Sequence, residues 1–257
     1  SAITGGANNV CIGHAAGDSM TDNTNNVAIG SNALGVLESG GLSNVAVGVS
    51  AGAALTTSDY NVAVGKGALS SEDTGGGHVA IGSGASASTN CDGGNTVIGN
   101  DASYYNVSGK SNVIVGFQAA YGASGQSHSY NTAVGYQTMD GVTTGSNNTL
   151  LGYRAGYDLT SGGNNVCIGY QAGDDFLTQS GNTVVGTGAF GGAGAASYVT
   201  AIGYNAINAG VTTSGADNTV AVGNSALENL TTGAGNIGIG WHALNTHTTG
   251  TRNMAIG

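Results

Sequence analysis

Six aromatic side chains recur at one place in this sequence, directly after a glycine: Phe117, Tyr136, Tyr153, Tyr170, Tyr204 and Trp241. A polar residue follows each: Gln118, Gln137, Arg154, Gln171, Asn205 and His242. A ring beside a hydrogen-bonding group suits a sugar, because the ring offers an apolar face and a polar edge. The same spacing has a plainer use, since rings in register stabilise a strand ladder by packing on one another. Ladder stabilisation is the first reading and glycan binding the second. Thr187 and Asn224 interrupt the series, and earlier copies carry His14, Ser31, Val49, Lys66, Ser83 and Asn100 there.

Other motifs imitate chemistry. Gly186-Thr187-Gly188-Ala189-Phe190-Gly191 matches a dinucleotide fingerprint, but that motif must open a helix and needs an acid about twenty residues on. Gly48-Val49-Ser50-Ala51-Gly52 matches a nucleophile elbow. Equivalent places carry Asn32, Gln118, Arg154 and Gln171, so Ser50 is a corner residue. Of five histidines, His242 and His247 sit close enough in sequence to share a metal, yet lone surface histidines are the default. Cys11, Cys91 and Cys167 show no zinc-type spacing and read as small buried hydrophobes. The sequence therefore predicts no catalytic residue, no cofactor and no metal.

The elements that position these residues come from a tandem repeat. A glycine ends Asn-Val/Thr-Ala-Ile/Val-Gly, or a variant, at fifteen places, Gly30, Gly48, Gly65 and Gly169 among them. Eleven of the fourteen steps are seventeen residues. Such a period is the mark of a solenoid, with one unit per coil. Steps of 18, 19 and 20 put insertions near 36–41, 121–130 and 209–217. Each unit reads as strand, corner, short second strand and turn. The whole of 1–257 reads as one array, a piece of a longer fibre. At a strand spacing of about 4.8 Å it forms a rod on the order of 70 Å long.

Both faces of the strand are apolar. Val or Thr three places before the glycine and Ile or Val just before it share one face, and mostly alanine lies between them. A strand apolar on both faces is buried on both. The expectation is that one face fills the coil and that the alanine face is covered by a neighbouring chain. Four places before the glycine, asparagine occurs in twelve of fifteen copies, including Asn26, Asn44, Asn61 and Asn165. Stacked one strand apart, these amides form a ladder; His78, Val199 and Thr219 break it. Asparagine also tolerates a left-handed corner, and the glycine marks a positive φ or a close backbone approach.

Composition closes several doors. Four basic residues against 14 acidic ones cannot supply the patches that nucleic acid or anionic lipid requires. No run of eighteen apolar residues exists, so membrane insertion is not expected. The first residues lack the charged region and apolar core of a signal peptide. A hydrophobic content of 40% argues against disorder despite 49 glycines.

The units NNVAIGSNALG, NTAVGYQTM and NNVCIGYQAG resemble two related groups across essentially the whole chain. These are the head repeats of trimeric autotransporter adhesins and the shaft repeats of tailed-phage and other virion fibres. The Tyr-Gln-Ala-Gly and Thr-Thr-Gly-x-x-Asn elements are closer to the fibre group. The resemblance implies an intertwined or side-by-side homotrimer, a virion tail-fibre or extracellular location, and attachment to a cell-surface glycan or receptor. The expectation is thus an all-β solenoid or β-roll of seventeen-residue repeats, a non-catalytic shaft. The alternatives are a single-chain surface filament and a ligand-binding solenoid, for glycan or ice.

Overall fold

A computed structural model describes residues 5–38, 40–91, 93–192, 195–208 and 215–257. The chain divides into two compact units, Ser1–Tyr130 and Asn131–Gly257. The boundary falls within the nineteen-residue step between Gly116 and Gly135, at the end of the second insertion. The third insertion lies largely outside the described residues.

The first unit holds β1 (Val10–Ile12), β2 (Val27–Ile29), β3 (Val45–Val47), β4 (Val62–Val64), β5 (Val79–Ile81), β6 (Thr96–Ile98) and β7 (Val113–Val115). Each pairs in parallel with the next. The second holds β8 (Thr132–Val134), β9 (Thr149–Leu151), β10 (Val166–Ile168), β11 (Thr183–Val185), β12 (Thr200–Ile202), β13 (Val220–Val222), β14 (Ile237–Ile239) and β15 (Met254–Ile256). They pair the same way. Equivalent residues face each other even across an irregular step: Val27 pairs with Val45, and Thr200 with Val220. The extra residues therefore do not shift the register. This is an all-β, seventeen-residue-repeat solenoid.

The orientation of the strand differs from the expectation. The alanine face points into the coil: Ala28, Ala46, Ala63 and Ala80 are fully buried, as are Ala133, Ala201 and Ala221. The β-branched face points out and is half-buried or exposed in every coil. Space explains the choice. The alanine three places after the glycine also points inward (Ala33, Ala51, Ala155 and Ala172 are fully buried), so opposite walls lie close. The remaining room is shared between the strand's central residue and the residue six places on. In several coils a large residue at one faces a small one at the other: Leu150 with Gly156, Ile114 with Ala120, Ala133 with Met139, Gly238 with Leu244; Val184 with Phe190 is an exception. A Cβ on Gly173 would sit 3.0 Å from the Cys167 sulfur. Adding bulk to such a filled slot overpacks it, which is destabilising.

No second strand follows the corner among the described residues; that side is a run of turns. The residues two and four places after the glycine are left-handed, for example Gln171 (φ 52) and Leu69 (φ 52). Such φ values end a strand. Only isolated bridges remain, Thr24 to Leu42 and Asn106 to Gln126. The repeat glycine itself has φ near +130, Gly30 at 131 and Gly48 at 137, which only glycine adopts readily. A Cβ on Gly48 would meet the Gly65 carbonyl oxygen at 2.5 Å.

Candidate functional site

The asparagine column is built from each coil to the next. The Asn26 Oδ1 accepts from the Asn44 backbone N–H (2.8 Å), the Asn44 Oδ1 from Asn61 (3.0 Å), and the Asn61 Oδ1 from His78 (2.9 Å). The amide nitrogens reach turn carbonyls, Asn44 to Ser58 (2.8 Å) and Asn61 to Gly75 (3.0 Å). In the second unit Asn165 binds the Asn148 Oδ1 through its own N–H (3.0 Å) and the Gln179 carbonyl through its amide (2.8 Å). These buried side chains cap backbone groups that a turn cannot pair, which is costly to leave undone. The left-handed corner belongs to the preceding residue, such as Asn25 (φ 61) or Asn164 (φ 60). His78 does not interrupt the column, because its Nδ1 accepts the Asn95 N–H (3.1 Å) as an amide oxygen would. Val199 receives the Asn182 bond (2.9 Å) but has no acceptor to pass on.

Of the six aromatics, three form one column in the second unit. The rings of Tyr136 and Tyr153 stack at 5.4 Å and 7°, and those of Tyr153 and Tyr170 at 5.0 Å and 8°. Thr187 ends this column before Tyr204. Trp241 tilts against His242 (4.4 Å), and Phe117 belongs to the first unit. All six rings are exposed. Both faces of Tyr153 are turned to neighbouring rings, so its edge is what meets solvent. A second aromatic group, Tyr104, Tyr105 and Tyr121, packs in the first unit with centroids 4.7 to 5.6 Å apart. The side-chain hydrogen bond with Tyr105 pushes the Tyr121 phenol up to about 12. Tyr104 and Tyr121 share the position five places after the repeat glycine, seventeen residues apart, and Tyr105 joins them from the next place.

Beside the tyrosine column Arg154 lies over the Tyr157 ring, 3.8 Å from its centroid. Asp140, Asp174 and Asp175 surround this cation. Burial raises all three carboxyls, and Asp174, also repelled by Asp175, is pushed up to about 6. The arginine opposes those shifts without cancelling them.

The motifs that imitate catalysis sit in turns. Gly186–Gly191 opens no helix, and its Phe190 is fully buried in the coil. Ser50 is a left-handed corner (φ 55). The histidines and cysteines divide: His14 and His242 are exposed, whereas His78 and His128 are buried. Cys167 is buried as expected of a small hydrophobe, and burial raises its thiol. Cys11 is exposed, because among the described residues β1 pairs with β2 alone. Among the described residues no helix is long and apolar enough to cross a membrane. Comparison with protein-family models, with curated proteins and with solved structures returned no match.

Proposed function

We propose that this chain is the non-catalytic shaft of an elongated attachment fibre, on a virion or at a cell surface, built from three copies side by side. One observation carries the reading, the outward strand face. In each unit it presents two aliphatic or threonine side chains per coil, in register and half-exposed or exposed. Ile81, Ile98 and Ile202 remain 37% accessible. Contiguous exposed apolar strips of this kind mark interaction surfaces. At about 25 cal/mol per Å², covering a strip of ~400 Å² contributes ~10 kcal/mol. That is comparable with the cost of association, about 4–15 kcal/mol, so many coils must engage together. A long lateral seam between parallel copies meets that condition, and the repeat supplies it. The seam expected at the alanine face moves to the β-branched face, since the alanines fill the coil.

The tyrosine column supports a mechanical role. Its rings spend their faces on one another, which stiffens the ladder and leaves a sugar only edges. Replacing Val47 and Val64 by lysine tests the seam. Both side chains point outward, so the coil still folds, and the prediction is that sedimentation falls from three chains to one with the far-ultraviolet spectrum unchanged. A folded variant that sediments like the parent contradicts the assignment of this face.

A further inference from the structure

Three residues of the first unit depart from the repeat together, and they meet. Seven places after the glycine, the coil interior holds fully buried Met20, Leu37, Leu55, Val142, Leu159 and Phe176. After Gly65 that place holds Glu72, also fully buried. The ladder position four before Gly82 holds His78 in place of asparagine. Nine places after the glycine, Thr57, Thr74, Thr144, Ser161 and Thr232 stand where the following coil has Cys91.

The Glu72 Oε2 lies 3.4 Å from the His78 Nε2, and the Cys91 sulfur completes a set whose three atoms lie within 4.8 Å of one another. Glu72 and His78 are buried and Cys91 half-buried. The carboxylate is held from behind: its Oε1 accepts the Gly75 N–H (2.6 Å) and its Oε2 the Cys91 N–H (3.1 Å). With Nδ1 accepting from Asn95, the proton of a neutral His78 sits on Nε2, facing Glu72 and the Cys91 carbonyl oxygen (3.1 Å). A carboxylate thus stands buried where the repeat carries an apolar residue, held by two backbone N–H groups and the His78 ring.

We propose that Glu72, His78 and Cys91 form a zinc site. Carboxylate, imidazole and thiolate are the ligand types that zinc takes together. Nitrogen and oxygen at about 2.0–2.2 Å from a tetrahedral zinc stand about 3.4 Å apart, the separation present here. A divalent ion with one thiolate and one carboxylate sums to zero charge. Binding releases the Cys91 thiol proton to solvent. The His78 proton passes from Nε2 to Nδ1, freeing Nε2 for the metal. The Asn95 N–H then faces the new Nδ1–H, donor against donor, and must turn away from it, a cost set against three coordinate bonds. With three protein ligands, a water would complete the tetrahedron.

Cobalt(II) is the probe, added to the full chain carrying Cys11→Ser so that the exposed thiol does not compete. The expected result is one ion per chain, with a thiolate-to-cobalt charge-transfer band, tetrahedral visible bands, and displacement by zinc. Asn95's amide resonance should move when zinc binds. His78→Asn and Glu72→Leu each restore the residue that the repeat carries, so both fold. Each should weaken cobalt binding by more than about a hundredfold, beyond the effect of an outer-shell change. Absence of the charge-transfer band in the parent, or its retention at full affinity in His78→Asn, overturns the site. In that case His78 is only a hydrogen-bonded substitute for the ladder asparagine.

Discussion

Seven places after the repeat glycine, the second unit packs Val142, Leu159 and Phe176, and the first unit follows Met20, Leu37 and Leu55 with Glu72, Thr89 and Asn106. In the second unit Phe176 meets Phe190 edge to face at 5.2 Å. In the first, the Thr89 hydroxyl bonds Ser86 (2.6 Å) and the Asn106 carbonyl (3.0 Å). The backbone does not register the difference: strand lengths, pairing and corner φ values are the same in both. The coil is therefore held by its strand ladder, its asparagine column and its glycine corners. The interior is free to vary, provided its polar atoms find partners. An oily interior adds stability; a polar one makes room for chemistry.

The largest expected effect tests what the units share. Gly48→Val in the first and Gly169→Val in the second each place a side chain at φ near +137 and drive a Cβ against the next coil's carbonyl oxygen, at 2.5 and 2.6 Å. Each should cost more than about 4 kcal/mol, and by a similar amount in chemical denaturation. A marked difference between them breaks the idea of a common corner.

Losses of different origin are expected inside the coil. Phe176→Ala removes a fully buried ring and should cost about 3–5 kcal/mol. Glu72→Leu, at the same repeat position, should cost about 1–3 kcal/mol for a different reason, because the buried Gly75 and Cys91 N–H groups and the His78 ring lose their acceptor. Denaturant midpoints check both.

The units should also part with pH. Burial lowers His128 to about 4 from the ordinary 6.5. A depressed folded pKa means that the unfolded chain takes up the proton first, so this contribution is complete above pH 6.5 and is lost as pH falls toward 4. It amounts to at most about 3 kcal/mol. Asp174 runs the other way: raised to about 6, it favours the folded second unit increasingly as pH falls from 6 toward 3.8. Trp241, the single tryptophan, lies in the second unit and reports on it by fluorescence. Hydrogen exchange across 113–128 reports on the first. Between pH 6.5 and 4 protection there should drop, while His128→Gln removes that dependence.

The smallest effect is at the surface. Tyr153→Ala removes both stacks of the column and should cost about 1–2 kcal/mol in thermal unfolding of the second unit. A neutral result with lost carbohydrate binding would turn the column from ladder to ligand site.

The period, the strands and the corner glycines could be read directly, because each is a residue type recurring at a fixed spacing. Which strand face turns inward could not. Val27, Ala28 and Ile29 are all apolar, and only the closeness of the opposite wall, set by Ala33, decides for the small one. The second strand was misread because Gln171 and Leu69 carry no mark of their left-handed backbone. His78 looked like a break because a residue type was compared; the acceptor geometry of Nδ1 makes it a continuation. Glu72 did leave a signal, a carboxylate in a column of leucines, and aligning the coils position by position exposes it.

The proposed seam between copies lies on the outward β-branched face. Light scattering on the unaltered 257-residue chain gives its native mass. Three chain masses are predicted. A folded species of one chain mass, with that face left to water, would contradict the account.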